Sequence, residues 1–116
     1  LSMARLGGVV LVGRGGTFIL GPHQGLHLRF IAPKERRIRN LMAYKGLSAI
    51  EAEEMIDESD RKRRGFVHKV FGSDIDDPRH YDVVINADYI DVEEIVDSVV
   101  VAYRGKCNKL ANIEND

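Results

Sequence analysis

The sequence predicts an α/β domain built on a parallel sheet, and three observations carry that expectation. Residues 9–12, Val-Val-Leu-Val, are an uninterrupted apolar run of the kind that suits a strand covered on both faces. Apolar residues at 3.6-residue spacing mark amphipathic helices, most cleanly at Val92, Ile95, Val96, Val99, Val100 and Tyr103. The order of the segments is strand, strand, helices, strand, helix, an alternation that favours α/β layers.

The elements follow in chain order. Residues 1–6 read as the end of a helix stopped by Gly7 and Gly8, and residues 9–12 as the first strand. Gly13-Arg14-Gly15-Gly16 breaks that strand. Residues 17–20 fit a strand or one helical turn equally well, and residues 21–25 a loop. Residues 26–31 form a second strand with Leu26, Leu28 and Phe30 on one face. Pro33 suits a first helical turn, Ile38, Leu41 and Met42 mark the stripe, and Gly46 closes the helix. Ser48 with Glu51 is a capping box that opens the next helix and turns Ala52, Met55 and Ile56 inward. Residues 57–64 are densely charged, and Phe66, Val67, Val70 and Phe71 resume an apolar helical face. Residues 73–80 are a polar loop, and residues 81–86 the third strand. Asp91 with Glu94 forms a further capping box, and the final helix is expected to fray from Lys106.

The 116 residues suit one domain, with 44% hydrophobic and 30% charged residues, as in ordinary globular chains. A net charge of −1 excludes a general polyanion binder, so any basic site must be local. Cys107 stands alone, which rules out an internal disulfide and fits a reducing compartment. Neither a signal peptide nor a membrane-length apolar run is read in it, so a cytoplasmic setting is expected. Leu1 in place of an initiator methionine reads as a fragment or a trimmed chain.

Ligands of open parallel sheets gather beyond the carboxyl ends of the strands. Arg14 follows the first strand, and Lys34, Arg36 and Arg37 follow the second. The helix after Pro33 leads roughly 20 Å away from that edge at 1.5 Å per residue, and the helix after Ser48 returns by a similar length. Arg61, Lys62, Arg63 and Arg64 are thereby brought back to the edge of Arg14. Planar, permanently charged guanidinium groups suit phosphate oxygens. The plainer readings stand beside this one: residues 34–39 as a solvated helix face, Arg61–Arg64 paired with Asp57, Glu58 and Asp60, and Arg14 as a turn residue. His23, His27, His68 and His80 lack metal-ligand spacing, so no metal site is expected. Cys107 has no base nearby in sequence. Asp82 and Asp88 flank the third strand, Asp88 as a ligand at the edge or as a turn residue. No stretch matches the phosphate-loop pattern G-x-x-x-x-G-K-[ST].

Four pieces in order, Val-Leu-Val-Gly-Arg-Gly-Gly, Ala-Pro-Lys-Glu-Arg-Arg-Ile, Asp-Arg-Lys-Arg from Asp60 and Tyr-Asp-Val-Val-Ile-Asn-Ala-Asp from Tyr81, resemble the cytidylate kinase-like family of P-loop nucleoside monophosphate kinases. The resemblance runs from about Gly8 to Arg104. It implies a three-layer parallel sheet of the P-loop kinase type, incomplete here because the family's N-terminal strand and phosphate loop precede the matching segment. Residues 1–105 would be a partial kinase domain with a lid around residues 58–72, and residues 106–116 a frayed tail. The implied reaction moves the terminal phosphoryl group of ATP to CMP or dCMP with Mg2+, for which no ligand residues are identified. By resemblance Gly13 and Arg14 lie by the acceptor monophosphate, Arg37 opens the following helix beside it, Arg61 and Arg63 are the catalytic lid arginines, and Asp60 orients the lid. Gly15 stands where cytidylate kinases proper carry an acidic residue associated with the sugar. The chain alone is expected to bind nucleotides weakly and to turn over negligibly.

Two other classes remain as alternatives. One is a non-catalytic kinase-like remnant that forms a homo-oligomer through an exposed sheet edge. The other is a nucleic-acid module, suggested by Lys-Glu-Arg-Arg-Ile-Arg-Asn followed by a glycine turn and a second helix, and opposed by the charge of −1 and the flanking strands.

Overall fold

The computed structural model describes Val10, Val12 and residues 15–115. The described chain is α/β: two parallel strands, three long helices, one short helix and a 3-10 turn. Gly15 has a left-handed backbone (φ 71°) and leads into α1, Gly16–Ile19. Residues 17–20, open to two readings from sequence, therefore lie in a helical turn and its C-cap. β1 is Leu28–Ile31 and β2 is Val83–Asn86, each starting two residues later than expected. They pair in parallel with Leu28 opposite Val83 and Ile31 opposite Asn86. Val10 and Val12 lie in no strand and are 87% exposed, which corrects the expected first strand at both positions. The other residues of that run, and the helix end expected at residues 1–6, lie outside the described residues.

α2, Lys34–Lys45, leaves the carboxyl end of β1. Pro33 serves as its N-cap rather than its first residue, and Gly46 ends it in the left-handed region (φ 66°), donating its N–H to the Met42 carbonyl at 2.8 Å. α3, Ala49–Phe71, starts on Ser48, whose Oγ accepts the Glu51 N–H at 3.2 Å and donates to Glu51 Oε1 at 2.9 Å. The charged stretch from Asp57 to Arg64 does not interrupt it, so the segment expected to form a lid belongs to one continuous rod. Twelve residues of α2 against 23 of α3 mean about 18 Å beside about 34 Å. α3 thus outruns its partner, and its second half extends beyond the start of α2.

A 3-10 turn, Pro78–His80, sits inside the loop expected from residue 73, N-capped by the Asp77 carboxylate. α4, Val92–Asn115, leans on β2. It does not fray at Lys106: the helix continues to Asn115, and Lys106 Nζ pairs with Asp82 Oδ2 at 2.6 Å.

Among the described residues the apolar core consists of Ala52, Ile56, Val67, Ile75 and Ile85. Ala52, Ile56 and Val67 share one stripe of α3 at helical spacing. Met55, Phe66 and Val70, expected inside, are exposed, Phe66 and Val70 on the half of α3 that outruns α2. Val92, Val96, Val100 and Tyr103 are exposed as well. No described helix is long and apolar enough to cross a membrane.

Candidate functional site

The helical hairpin places the basic residues of α2 against the acidic residues of α3. Lys34 Nζ lies 2.8 Å from Asp57 Oδ1 and 3.2 Å from Glu53 Oε1. One turn further, Arg37 grips Asp60 with both arms: Nη1 donates to Oδ2 at 2.9 Å and Nη2 to Oδ1 at 2.6 Å. This two-pronged geometry is the strong form of an ion pair. It joins residues 23 apart in sequence, the return that the path-length argument requires.

Arg63, three residues on, has Nη1 3.8 Å from Asp60 Oδ1, and its Nη2 donates to Ser59 Oγ at 3.3 Å. Asp60 is held below the usual carboxylate range, first by its hydrogen bonds from Arg37 and against desolvation, then by the charges of Arg37, Arg63 and Arg64. The same hydrogen bonds raise the Arg37 guanidinium above its ordinary value. The structure therefore brings Arg37, Asp60 and Arg63 together. Arg61 does not line the pocket that Arg37 and Arg63 share; it faces an adjoining open groove with His68, Ser73 and Asp74, and Asp60 and Arg64 border both. Arg61 and Arg63 are two positions apart on a helix, about 200° around its axis, so they cannot face one point. Gly13 and Arg14 lie outside the described residues.

Two participants were not singled out from sequence, Arg29 and Asp76, and a third, Arg64, was named only within the returning basic cluster Arg61–Arg64. Arg29 projects from β1. Its Nη2 donates to Asp76 Oδ1 at 2.8 Å, and its Nη1 reaches the Ile75 carbonyl and, at 3.4 Å, the Tyr81 hydroxyl. Its guanidinium also lies 5.7 Å from the Tyr81 ring centre. Arg64 Nη2 donates to the other Asp76 oxygen at 2.7 Å, and that bond raises the guanidinium's pKa. The signal for Arg29 was a cation inside an otherwise apolar strand, which alternation alone assigns to a solvated face. Asp76 had none, being one of three aspartates in a polar loop.

These side chains line a half-open pocket of about 270 Å³ at the carboxyl end of β1, where Phe30, Ile31 and Ala32 form one wall. Its charged lining is Arg29, Arg37, Arg63 and Arg64 against Asp60 and Asp76. Guanidinium groups in excess of carboxylates suit an oxyanion. Two other cations near the start of α2 are engaged elsewhere, Lys34 with Glu53 and Asp57 and Arg36 with Asp88. Arg36 Nη1 lies 3.5 Å from Asp88 Oδ1, beyond the end of β2. The Asp88 N–H is bonded to Asn86 Oδ1 at 3.1 Å, a turn role. Among the described residues no group of three or more His, Cys, Asp or Glu could hold a metal ion. The described residues accordingly fit a phosphate better than they fit a resident magnesium ion.

The N-terminal approach to this edge is fixed by aromatic packing. Phe18 stacks on Phe71 with centroids 5.6 Å apart and meets His80 edge-on at 4.9 Å. A Cβ on Gly15 would lie 2.7 Å from Phe71 Cε2, in a backbone conformation that side chains disfavour, so the position favours glycine.

Comparison with known proteins adds three findings. The model of the cytidylate kinase-like family matches residues 1–89. A curated uronate isomerase of Corynebacterium glutamicum is 39% identical over 100 residues, which cover 85% of this chain and 19% of that protein. The chain thus spans about a fifth of the length of that curated relative. No solved structure matches the chain.

Proposed function

The chain belongs to the cytidylate kinase-like family, and on that premise we propose that the cavity at the end of β1 binds the phosphate of CMP or dCMP as acceptor for phosphoryl transfer from ATP. Kinase-like chemistry on nucleotide substrates is the coarser part of the proposal, supported by membership of the family, and the cytidine acceptor is its finer part. The observation that supports it is the meeting of Arg37, Asp60 and Arg63 beyond a parallel strand.

Phosphoryl transfer depends on positioning and on neutralising charge at the phosphoryl oxygens. Arg37, its guanidinium plane fixed by Asp60, binds and orients the acceptor phosphate. Arg63, only loosely held by Asp60, is free to follow charge as it develops. Gly13 and Arg14 belong to the acceptor side of the same proposal, and Arg61 serves from the neighbouring groove. ATP brings its magnesium on its own phosphates, as kinase substrates commonly do. A cytoplasmic setting is part of the same proposal.

Calorimetric titration of the chain with CMP, dCMP, UMP and AMP tests the proposal. CMP or dCMP is expected to bind with a Kd on the order of 0.1–1 mM, and Arg37→Ala to weaken that binding about tenfold. Failure of every monophosphate to bind the folded chain overturns it.

A further inference from the structure

Asp76 bridges two guanidinium groups from different elements, one oxygen to Arg29 of β1 at 2.8 Å and the other to Arg64 of α3 at 2.7 Å. We propose that Arg29 and Arg64 form a second oxyanion site in the cavity, held ready by Asp76, whose carboxylate is displaced by a second phosphate group of the ligand. This rests on reading the cavity as a phosphate site and extends the ligand class to diphosphates.

The two arginines differ in how they are held. Arg29 is 22% exposed and keeps the Ile75 carbonyl, the Tyr81 hydroxyl and the face of the Tyr81 ring when the carboxylate leaves. Its guanidinium is a fixed half-site. Arg64 is 57% exposed, and Asp76 is the partner that draws it toward Arg29. It is the adjustable half.

Asp76 itself is 48% exposed, and ion pairs this open to water are weak and readily exchanged. Its departure does not undo the turn beneath it, because its own N–H is bonded to Asp74 Oδ1 at 2.9 Å. A carboxylate spanning two guanidinium groups reproduces the bridge that a phosphate makes with two of its oxygens. Phosphate carries more charge and a third oxygen, so it competes well for the same forks.

Charge points the same way. Four guanidinium groups face two carboxylates in the cavity, and release of Asp76 raises the positive excess further. The pair at Arg37 and Arg63 takes one phosphate, and the pair at Arg29 and Arg64 takes the next. A nucleoside diphosphate or inorganic pyrophosphate meets both.

Calorimetric titration of the full chain with inorganic pyrophosphate at fixed ionic strength provides the test. Asp76→Asn keeps the shape and removes the competing charge; it is expected to tighten pyrophosphate binding about threefold or more. Arg64→Gln leaves the Arg29–Asp76 pair in place and is expected to weaken binding by a similar factor. Unchanged or weaker binding by an Asp76→Asn chain with wild-type circular dichroism overturns the proposal. So does unchanged binding by Arg64→Gln, which decides alone should Asp76→Asn not fold, and so does a wild-type chain that binds no pyrophosphate. If CMP fails to bind while both pyrophosphate shifts are seen, the cytidylate acceptor falls and the second site stands. CMP binding without those shifts gives the reverse.

Discussion

At the scale of single residues, Asp60 ties the two helices of the hairpin to one another and sets the plane of Arg37. Its carboxyl is held below the ordinary range chiefly by Arg37. A carboxyl with a depressed folded value contributes stability that is complete above its unfolded value, near 3.9, and is lost as pH falls through the folded one. The stability of the chain should therefore decline below about pH 4, and Asp60→Asn should flatten that part of the curve. With Asp60 30% exposed, the contribution is on the order of 0.5–1 kcal/mol, measurable by urea denaturation at pH 7 and pH 3. An acid limb unchanged by Asp60→Asn would assign the loss to other carboxylates. Gly15 makes a sharper case. Gly15→Ala places a methyl group against Phe71 on a backbone with φ 71°, and is expected to destabilise by about 1–3 kcal/mol in a thermal melt. Path length marked Arg37 and the Arg61–Arg64 cluster as neighbours of one edge, and the resemblance alone added Asp60. Neither marked Asp76, since nothing in residues 73–77 says which aspartate meets a strand residue 47 positions earlier.

At the scale of elements, caps were the most legible feature. Gly46 and Ser48 with Glu51 stop or start helices through local hydrogen bonds, and local bonds are written in local sequence; the Asp77 cap ahead of Pro78 was passed over inside a polar loop. The burial of each stripe was not legible, because an apolar stripe states which face a helix can bury and not whether a partner lies there. α4 shows the difference: its stripe is regular, yet Val96 is 52% exposed. The unbroken length of α3 is helped by the good helix formers Glu58 and Arg61–Arg64 within the charged stretch, and its weakest point is Gly65. No atom lies within 4 Å of a Cβ built there, so Gly65→Ala costs nothing in packing and removes a glycine from a helix interior. It is expected to stabilise by about 0.5–1 kcal/mol, or roughly 3–6 °C in Tm. A lowered Tm would mean that α3 bends or closes at Gly65 in solution. Because Gly65 also lines the groove of Arg61, the same variant shows whether that groove admits a ligand: nucleotide affinity should fall if the base packs there.

At the scale of the whole molecule, the radius of gyration is 16.5 Å, where about 13 Å is usual for a compact chain of this length. The sheet has two strands among the described residues, and apolar side chains lie open on several sides: Phe30 and Val84 on the strands, Phe66 and Val70 on α3, Val96, Val100 and Tyr103 on α4. Apolar area left in water is a standing drive toward association, and a net charge of −1 opposes it only feebly. Copies of this chain should therefore associate as concentration rises from about 1 to about 100 μM, by mass action on those faces. Sedimentation velocity across that range is expected to show a rising weight-average mass, with binding of a hydrophobic dye that declines as association proceeds. Val96→Lys with Val100→Lys puts two charges one turn apart on the α4 stripe and should shift the association to higher concentration without lowering helix content. A wild-type chain that stays monomeric throughout, binds no dye and melts cooperatively would show that these faces fold onto one another within a single copy, and the open arrangement of α3 and α4 would have to be given up.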